Sequence, residues 1–269
     1  MSAATHRAAH QILEHGRIFS DPLAVAILGV DQDEILRNVR HTASSRRMRL
    51  FISIRTRFAE DALAEAYKNG VRQLVVLGAG LDTYAYRRAL PDELRVFEVD
   101  HPATQAFKQE RLAAAEIRLP SAVTYVPVDF EHESCDEHLA AAGFDRNART
   151  FVTWLGVVPY LTEQAIWSTL SFFAGLPGGT EIVFDYSNPP DSLSADRRAE
   201  HDERAARVAE MGEAWLSYFD TEKLHERLHS IGFMNLDDLG PVEIAQRYLP
   251  DVAAPVSGAG GHVVYASTL

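Results

Sequence analysis

Gly78 and Gly80, in the run Leu77-Gly78-Ala79-Gly80-Leu81-Asp82-Thr83, follow a short apolar segment, and Asp100 closes the next such segment 22 positions after Gly78. Glycine has no side chain, so a ligand can come close to its backbone. A carboxylate about 20 residues beyond such a loop stands where a ribose diol is gripped, because it accepts from both hydroxyls. Together these residues read as a grip on a nucleoside. Gly-x-Gly by itself also marks a bare strand-to-helix turn, and Asp100 can cap the helix that begins at Pro102; capping and ribose binding are compatible. Asp129 follows a third apolar segment with Phe130 beside it. Its carboxylate can accept an adenine amino group while Phe130 packs on the ring; the alternative is a loop aspartate that starts a turn.

The residues around the glycines discriminate between nucleoside cofactors. A dinucleotide fingerprint carries a third glycine to admit the pyrophosphate. Here Tyr84 and Ala85 follow Asp82-Thr83 with no glycine at that offset, and the Asp82 carboxylate opposes a phosphate. S-adenosylmethionine has no phosphate. It carries an ammonium, a sulfonium and a carboxylate, which suit acidic and carbonyl groups and one arginine.

These loops need strands to hold them. Gln73–Leu77, Arg95–Val99, Val123–Val128, Thr150–Leu155 and Glu181–Asp185 are short continuous β-favouring runs, as in a sheet buried on both faces. Helical stretches lie between them, Pro102 to Arg118 and Glu163 to Ala174 among them, so βαβ units and a doubly wound sheet are expected. The glycine loop should open a helix. Upstream, Asp21-Pro22 reads as a helix start stopped by Gly29, and a longer helix spans about Arg47 to Tyr67. Asn188-Pro189-Pro190-Asp191 is loop chemistry, followed by a charged helical stretch from Ser194 to Met211. Thr221 to Ser230 is a further helix. Phe233 to Leu239 and His262 to Ala266 are the last strands, with a flexible turn over Pro255 to Gly261.

The 269 residues, 46% hydrophobic and 24% charged, suffice for one large core. One domain is expected: a helical cap over 1–70, a cofactor-binding core over 71–186, a lid insert over 187–219 and the return of the core over 220–269. A net charge of -12 disfavours nucleic acid and anionic membrane surfaces as partners. Cys135 is the one cysteine, so there is no intrachain disulfide or thiolate metal site, and a partly buried spare thiol is expected. The first residues lack the apolar stretch of a signal peptide, and no apolar run would cross a bilayer, which makes the cytoplasm the expected compartment. His225 and His229 are four apart with no third ligand nearby, so no metal is expected.

The segments Arg17-Ile18-Phe19-Ser20-Asp21-Pro22, Arg55-Thr56-Arg57-Phe58, Val71 to Thr83, Phe97-Glu98-Val99-Asp100-His101-Pro102, Val128-Asp129-Phe130 and Tyr160-Leu161-Thr162 resemble the leucine carboxyl methyltransferase family, in particular its bacterial branch of S-adenosylmethionine-dependent enzymes. The resemblance implies a class I methyltransferase fold: α/β, with a Rossmann-like, doubly wound, mostly parallel sheet, a helical N-terminal cap and a helical lid insert. It implies that Arg57, with Arg55 as the nearby alternative, holds the methionine carboxylate of S-adenosyl-L-methionine. Gly78 and Gly80 would lie under the methionine moiety, Asp100 would bind the ribose, and Asp129 with Phe130 the adenine. Two positions depart from the pattern. Leu155 stands where family members often carry glutamate. Glu131 stands where the members that methylate a phosphatase C-terminus place an arginine, so that substrate is not carried over.

The resemblance leads to O-methylation of a carboxylate or hydroxyl on a small molecule. The alternatives are a NAD(P)-dependent oxidoreductase on the same architecture and a non-catalytic S-adenosylmethionine-binding protein. A carboxylate acceptor needs no general base, whereas a hydroxyl does. No acid–base pair is legible, so the catalytic residues are left open. Tyr160 and Tyr186, just past strand ends, are the candidate substrate contacts, with Asp185, His101 and His201 also near the expected mouth. Trp215, Tyr218 and Phe219 could wall an acceptor pocket or simply dock a helix. The sequence is silent on oligomeric state.

Overall fold

The computed structural model describes residues 2–39, 42–87, 89–91, 93–130, 132–210, 214–250 and 258–269. Its strands are β1 (Gln73–Leu77), β2 (Arg95–Asp100), β3 (Val123–Pro127), β4 (Thr150–Trp154), β5 (Thr180–Ser187), β6 (Asn235–Leu239) and β7 (Gly261–Ser267). They form one sheet in the order β3-β2-β1-β4-β5-β7-β6. The fold is the expected mixed α/β arrangement around a mostly parallel sheet; β7 runs antiparallel to both β5 and β6. Two compact units divide the chain, Met1–Phe151 and Val152–Leu269.

In the first unit β1, β2 and β3 pair in parallel, with Leu77 opposite Val99 and Val99 opposite Val126. All five residues of β1 are buried, which is why Leu74 to Leu77 form a continuous apolar run instead of alternating. The crossover from β2 to β3 is helix α4 (Pro102–Ala114), with proline in its first turn and His101 as its cap. The Gln105 amide donates to the carbonyls of Glu98 and Val126, at 2.9 and 3.0 Å, and so pins α4 to both strands. Before the sheet come α1 (Ser2–Leu13), α2 (Gln32–Asn38) and the 26-residue α3 (Ala43–Lys68), which Thr42 caps by accepting from the Ser45 amide at 3.1 Å. Leu50, Ile54, Phe58 and Leu63 form the buried stripe of α3. Between β3 and β4, α5 (Cys135–Ala141) is a short helix with Cys135 buried at its start, and burial pushes that thiol up to about 12, so it is not a reactive nucleophile at neutral pH.

The second unit contains α6 (Glu163–Ala174), α7 (Ala195–Glu210), α8 (Thr221–Ile231) and α9 (Pro241–Tyr248) beside β5, β7 and β6. Asp220 caps α8 by accepting from the Lys223 amide, and Gly232 ends it in the left-handed region at φ 112°. Among the described residues no helix is long and apolar enough to cross a membrane.

The structure departs from expectation in several places. The glycine loop does not open a helix: residues 81–87 form turns, with the Tyr86 and Arg87 amides both donating to the Thr83 carbonyl. Asp21-Pro22 leads into a tight 3-10 turn at Ala26–Leu28 instead of an α-helix, although Gly29, at φ 64°, does end it. Helix α4 stops at Ala114, well before Arg118, because Glu116 turns to positive φ. The sequence set no bounds for α5 or α9; at 7 and 8 residues they are too short to show a helical period. Met211, Glu131 and part of the Pro255 to Gly261 turn lie outside the described residues.

Candidate functional site

The carboxyl ends of β1, β2 and β3 bring the glycine loop, Asp100 and Asp129 side by side. Both Gly78 and Ala79 donate their amides to the Val99 carbonyl, at 2.8 and 3.2 Å, and Val128 donates to the Asp100 carbonyl at 2.9 Å. Gly78 and Gly80 have φ of 63° and 41°, a conformation that favours glycine. A Cβ built on Gly80 would meet only the Gly78 carbonyl oxygen, at 3.9 Å, so there is room beside the backbone at Gly80.

Asp100 is built into the same loop. Its Oδ2 accepts from the Gly80 amide at 2.6 Å and its Oδ1 from the His101 amide at 2.7 Å. An ionised carboxylate has about four acceptor sites, so about two remain, the number a ribose diol would use. The helix cap itself is His101, whose Nδ1 accepts from the Ala103 amide at 3.2 Å. Capping therefore does not occupy Asp100. Asp129 starts a turn: its carbonyl accepts from the His132 and Glu133 amides, its own amide donates to the Glu133 carboxylate, and its Oδ2 lies 3.0 Å from His132 Nδ1. Phe130 beside it is half-buried.

The two arginines of α3 face different ways, as two positions separated by about 200° must. Arg57 is half-exposed, its Nε 2.6 Å from the Asp61 carboxylate and its Nη1 3.5 Å from the Ile18 carbonyl. Arg55 is buried, its guanidinium 5.7 Å from the centre of the Phe51 ring. From the turn after the glycines, Arg87 reaches back to the Glu60 carboxylate of α3 and lies 4.7 Å over the Phe19 ring. Burial alone would lower its pKa, yet the Glu60 partner holds it above the ordinary arginine value. Below Asp100, Glu98 and Lys108 form an ion pair at 2.7 Å, each 1% exposed, with Tyr86 and Tyr125 joining hydroxyls at 2.9 Å nearby. Sequence reasoning missed this cluster; an acid inside the apolar β2 run was the available signal.

In the second unit, Tyr160 is half-buried at the end of a 3-10 turn, Val158–Tyr160. The amides of Leu216 and Ser217 donate to the Pro159 carbonyl, and Ser217 Oγ donates to that of Leu161, so segment 214–219 lies along this turn. Leu155 is half-buried, and an acid stands next to it: Asp185 accepts from the Gly156 amide at 2.6 Å. His201 of α7 sits against Trp215 and Tyr218, with ring centres 5.3 and 5.5 Å away, and Phe219 docks on Trp167 and Tyr186.

Tyr186 is 1% exposed and its hydroxyl is committed. It donates to the Asp238 carboxylate at 2.6 Å, with Thr221 at 3.0 Å and His262 Nδ1 at 3.1 Å. His262 Nε2 lies 2.9 Å from Asn188 Oδ1, and His225 Nε2 lies 2.7 Å from Asp238. Burial would raise the Asp238 pKa; hydrogen bonds from His262, Tyr186 and His225 outweigh it and hold the carboxyl below its ordinary value. Asp238, His262 and Asn188 were not foreseen. His229 turns instead to the Phe233 carbonyl, at 2.8 Å. Among the described residues no group of three or more His, Cys, Asp or Glu could hold a metal ion.

Residues 1–174 match the leucine carboxyl methyltransferase family. The chain belongs to that family. A Bacillus subtilis relative, named "Putative S-adenosyl-L-methionine-dependent methyltransferase YktD", is 36% identical over 194 residues, 71% of this chain and 63% of the relative. A Streptomyces coelicolor protein named as the same kind of methyltransferase is 40% identical over 164 residues, 55% of this chain and 54% of that protein. The chain thus spans less than two thirds of either relative. Among solved structures, a possible exported protein from Bordetella parapertussis aligns with TM-score 0.52 and 15% identity, covering 98% of this chain and 94% of that one. The CurJ carbon methyltransferase aligns with TM-score 0.51 and 15% identity, covering 99% and 66%. At that identity these two speak to the fold alone.

The leucine carboxyl methyltransferase match ends at the last residue of α6. Arg57, Gly78, Gly80, Asp100, Asp129, Phe130 and Tyr160 lie inside it, whereas Tyr186 and the Asp238–His262 network lie beyond it.

Proposed function

We propose that the chain is an S-adenosylmethionine-dependent methyltransferase that methylates a carboxylate or hydroxyl oxygen of a small molecule. One observation carries this reading: Asp100 ties itself to the Gly80 amide and keeps acceptor capacity for a ribose, and there is room beside the backbone at Gly80. Family membership and the names of the relatives support it.

The turn after the glycines argues against a nicotinamide dinucleotide. A pyrophosphate is ordinarily received at a helix N-terminus, where free amides and the helix dipole meet its charge. Residues 81–87 form no helix here, and Asp82 instead accepts from the Tyr84 amide at 2.8 Å.

When bound, S-adenosylmethionine supplies a methyl group already activated on a sulfonium. In this reading Asp100 holds the ribose, the Gly78–Gly80 backbone runs under the methionine moiety, and Asp129 with Phe130 receives the adenine. Arg57 pairs with the methionine carboxylate by exchanging its exposed partner Asp61, with Arg55 as the alternative. The remaining work of the chain is to align an acceptor oxygen and exclude water. Tyr160 is the candidate acceptor contact, and Tyr186 acts through the network that it anchors.

Calorimetric titration with S-adenosylmethionine, S-adenosylhomocysteine and NAD tests the cofactor, with binding of the first two expected and binding of NAD alone refuting it. Label transfer from the methyl donor to a pool of small carboxylic and hydroxylated metabolites tests the activity. Cofactor binding without any transfer would favour a non-catalytic binder.

A further inference from the structure

The Arg17 to Pro22 segment supplies no side chain to the candidate cofactor site, its Ile18 carbonyl meeting only Arg57, yet its acid is wholly buried. The Asp21 side chain is 0% exposed and Oδ2 lies 2.8 Å from Arg7 Nε. The same oxygen accepts from the Thr83 hydroxyl at 2.6 Å, while Oδ1 accepts from the Leu23 amide at 3.0 Å. The Asp21 amide donates in turn to Gln11 of α1 at 2.9 Å. Arg7, also on α1, donates to the Leu81 carbonyl. Residues 81 and 83 directly follow Gly80. Two residues before Asp21, Phe19 receives the Arg87 guanidinium on its ring. One short N-terminal segment therefore grips both ends of the turn that continues the glycine loop.

A buried ion pair seldom stabilises a fold more than apolar residues of the same volume would. What it adds is direction: each bond fixes one atom of the loop. The turn has no helical ladder of its own, only local bonds such as those of the Tyr86 and Arg87 amides to the Thr83 carbonyl, so the bonds from Arg7 and Asp21 add the long-range hold on it.

We propose that Asp21 is a positioning residue for cofactor binding, acting through Thr83 and, with Arg7, through Leu81 to hold the Gly78–Gly80 backbone open. The proposal rests on the reading of this loop as the S-adenosylmethionine site. Ligand occupancy and the order of α1 are then linked, and the linkage is reciprocal. S-adenosylhomocysteine bound at the loop protects the amides of α1 and of residues 17–24, and loss of the Asp21–Thr83 bond weakens the ligand.

The test measures S-adenosylhomocysteine affinity by calorimetry, and amide exchange with and without ligand, in the full chain and in Thr83→Val, Thr83→Ser and Thr150→Val. Thr83→Val is expected to bind at least tenfold more weakly. Thr83→Ser keeps the hydroxyl and is expected to restore affinity to within about threefold of the parent, the margin of a weak hydrogen-bond difference. Thr150, a buried hydroxyl at the start of β4, controls for stability: its valine variant should lose thermal stability but not affinity. Affinity of Thr83→Val equal to the parent's, an equal loss in Thr150→Val, or ligand protection that stops short of α1 would each overturn the proposal. No binding by the parent chain would overturn the functional reading itself, and this proposal with it; a parent that binds isolates the outcome to the Asp21–Thr83 bond.

Discussion

Replacing Asp100 by alanine should weaken S-adenosylhomocysteine binding by about two orders of magnitude. The magnitude comes from the acceptor count. Two of the carboxylate's roughly four lone-pair sites hold the Gly80 and His101 amides, which leaves two for a ribose diol. A hydrogen bond to a charged group contributes about 1.5–3 kcal/mol. Taking the low end for both bonds gives about 3 kcal/mol, or about 100-fold in Kd. Asp100→Asn keeps one acceptor oxygen but turns an amide donor toward a backbone N–H, so about tenfold or more is expected there as well. Calorimetry on both variants, with the exposed Asp33→Ala as control, measures the loss. A cycle makes the test specific: the parent and Asp100→Ala are each titrated with S-adenosylhomocysteine and with its 2′-deoxy analogue. If Asp100 grips the diol, removing the hydroxyl costs the parent affinity and costs the variant little. Equal cost in both proteins would show that Asp100 shapes the glycine loop without touching ribose, and the reasoning would fail even if the affinity fell.

Three further outcomes are expected. Arg57→Met should weaken S-adenosylhomocysteine about tenfold, the scale of one charge-assisted pair, and leave 5′-methylthioadenosine, which lacks the amino acid end, unchanged; if Arg55→Met shows that pattern instead, the roles of the two arginines exchange. Lys108→Met alone strands the buried Glu98 carboxylate and should cost about 3–5 kcal/mol of unfolding free energy in denaturant titration, whereas Glu98→Leu with Lys108→Met should recover most of it; additive losses would refute a paired role. Acid should destabilise the chain through His10 and Glu14. Burial, opposed by Glu14, lowers the His10 pKa, so the unfolded chain takes up the proton first and stability falls as pH drops below 6.5 toward the depressed folded value. Glu14, held low by Arg49 against the effect of burial, adds a second loss below 4.5. Urea unfolding of His10→Asn should show a flatter stability profile in the first window, and an unchanged slope there would remove His10 from the account.

The parts of the site legible in the sequence are those set by local order. A buried parallel strand is mostly apolar on both faces, and the chain leaves it through a loop at the sheet's carboxyl edge; that alone locates Gly78, Asp100 and Asp129. The shape of the turn after Gly80 was not legible, because a buried carboxylate from 62 positions away takes up the Thr83 hydroxyl. Leu81-Asp82-Thr83 taken alone does not forbid a helix. Positions two apart on α3 diverge by about 200°, but the sequence did not tell which of Arg55 and Arg57 meets the core. The Tyr186 network was illegible for a stronger reason. Asp238 and His262 meet across antiparallel strands, and Tyr186 meets His262 from 76 positions away, so neither polar residue announces its partner.

This difference bears on where specificity resides. The cofactor-binding candidates, Arg57 of α3 apart, occupy strand-end loops of the first unit, within the family match that ends at Ala174. A cofactor common to the family imposes the same short-range demands on every member: bare backbone, a carboxylate, a base-stacking ring. An acceptor that differs between members imposes demands that only tertiary packing can meet. The packing beyond Ala174 is of that kind. His201 is seated against Trp215 and Tyr218, Tyr186 is locked to Asp238 and His262, and segment 214–219 is fastened to Pro159 and Leu161. Exchange of residues 175–269 between family members should therefore change the accepted substrate while leaving the affinity for S-adenosylhomocysteine nearly constant. A chimera whose cofactor affinity fell in step with its change of acceptor would argue that the two recognitions share one set of residues.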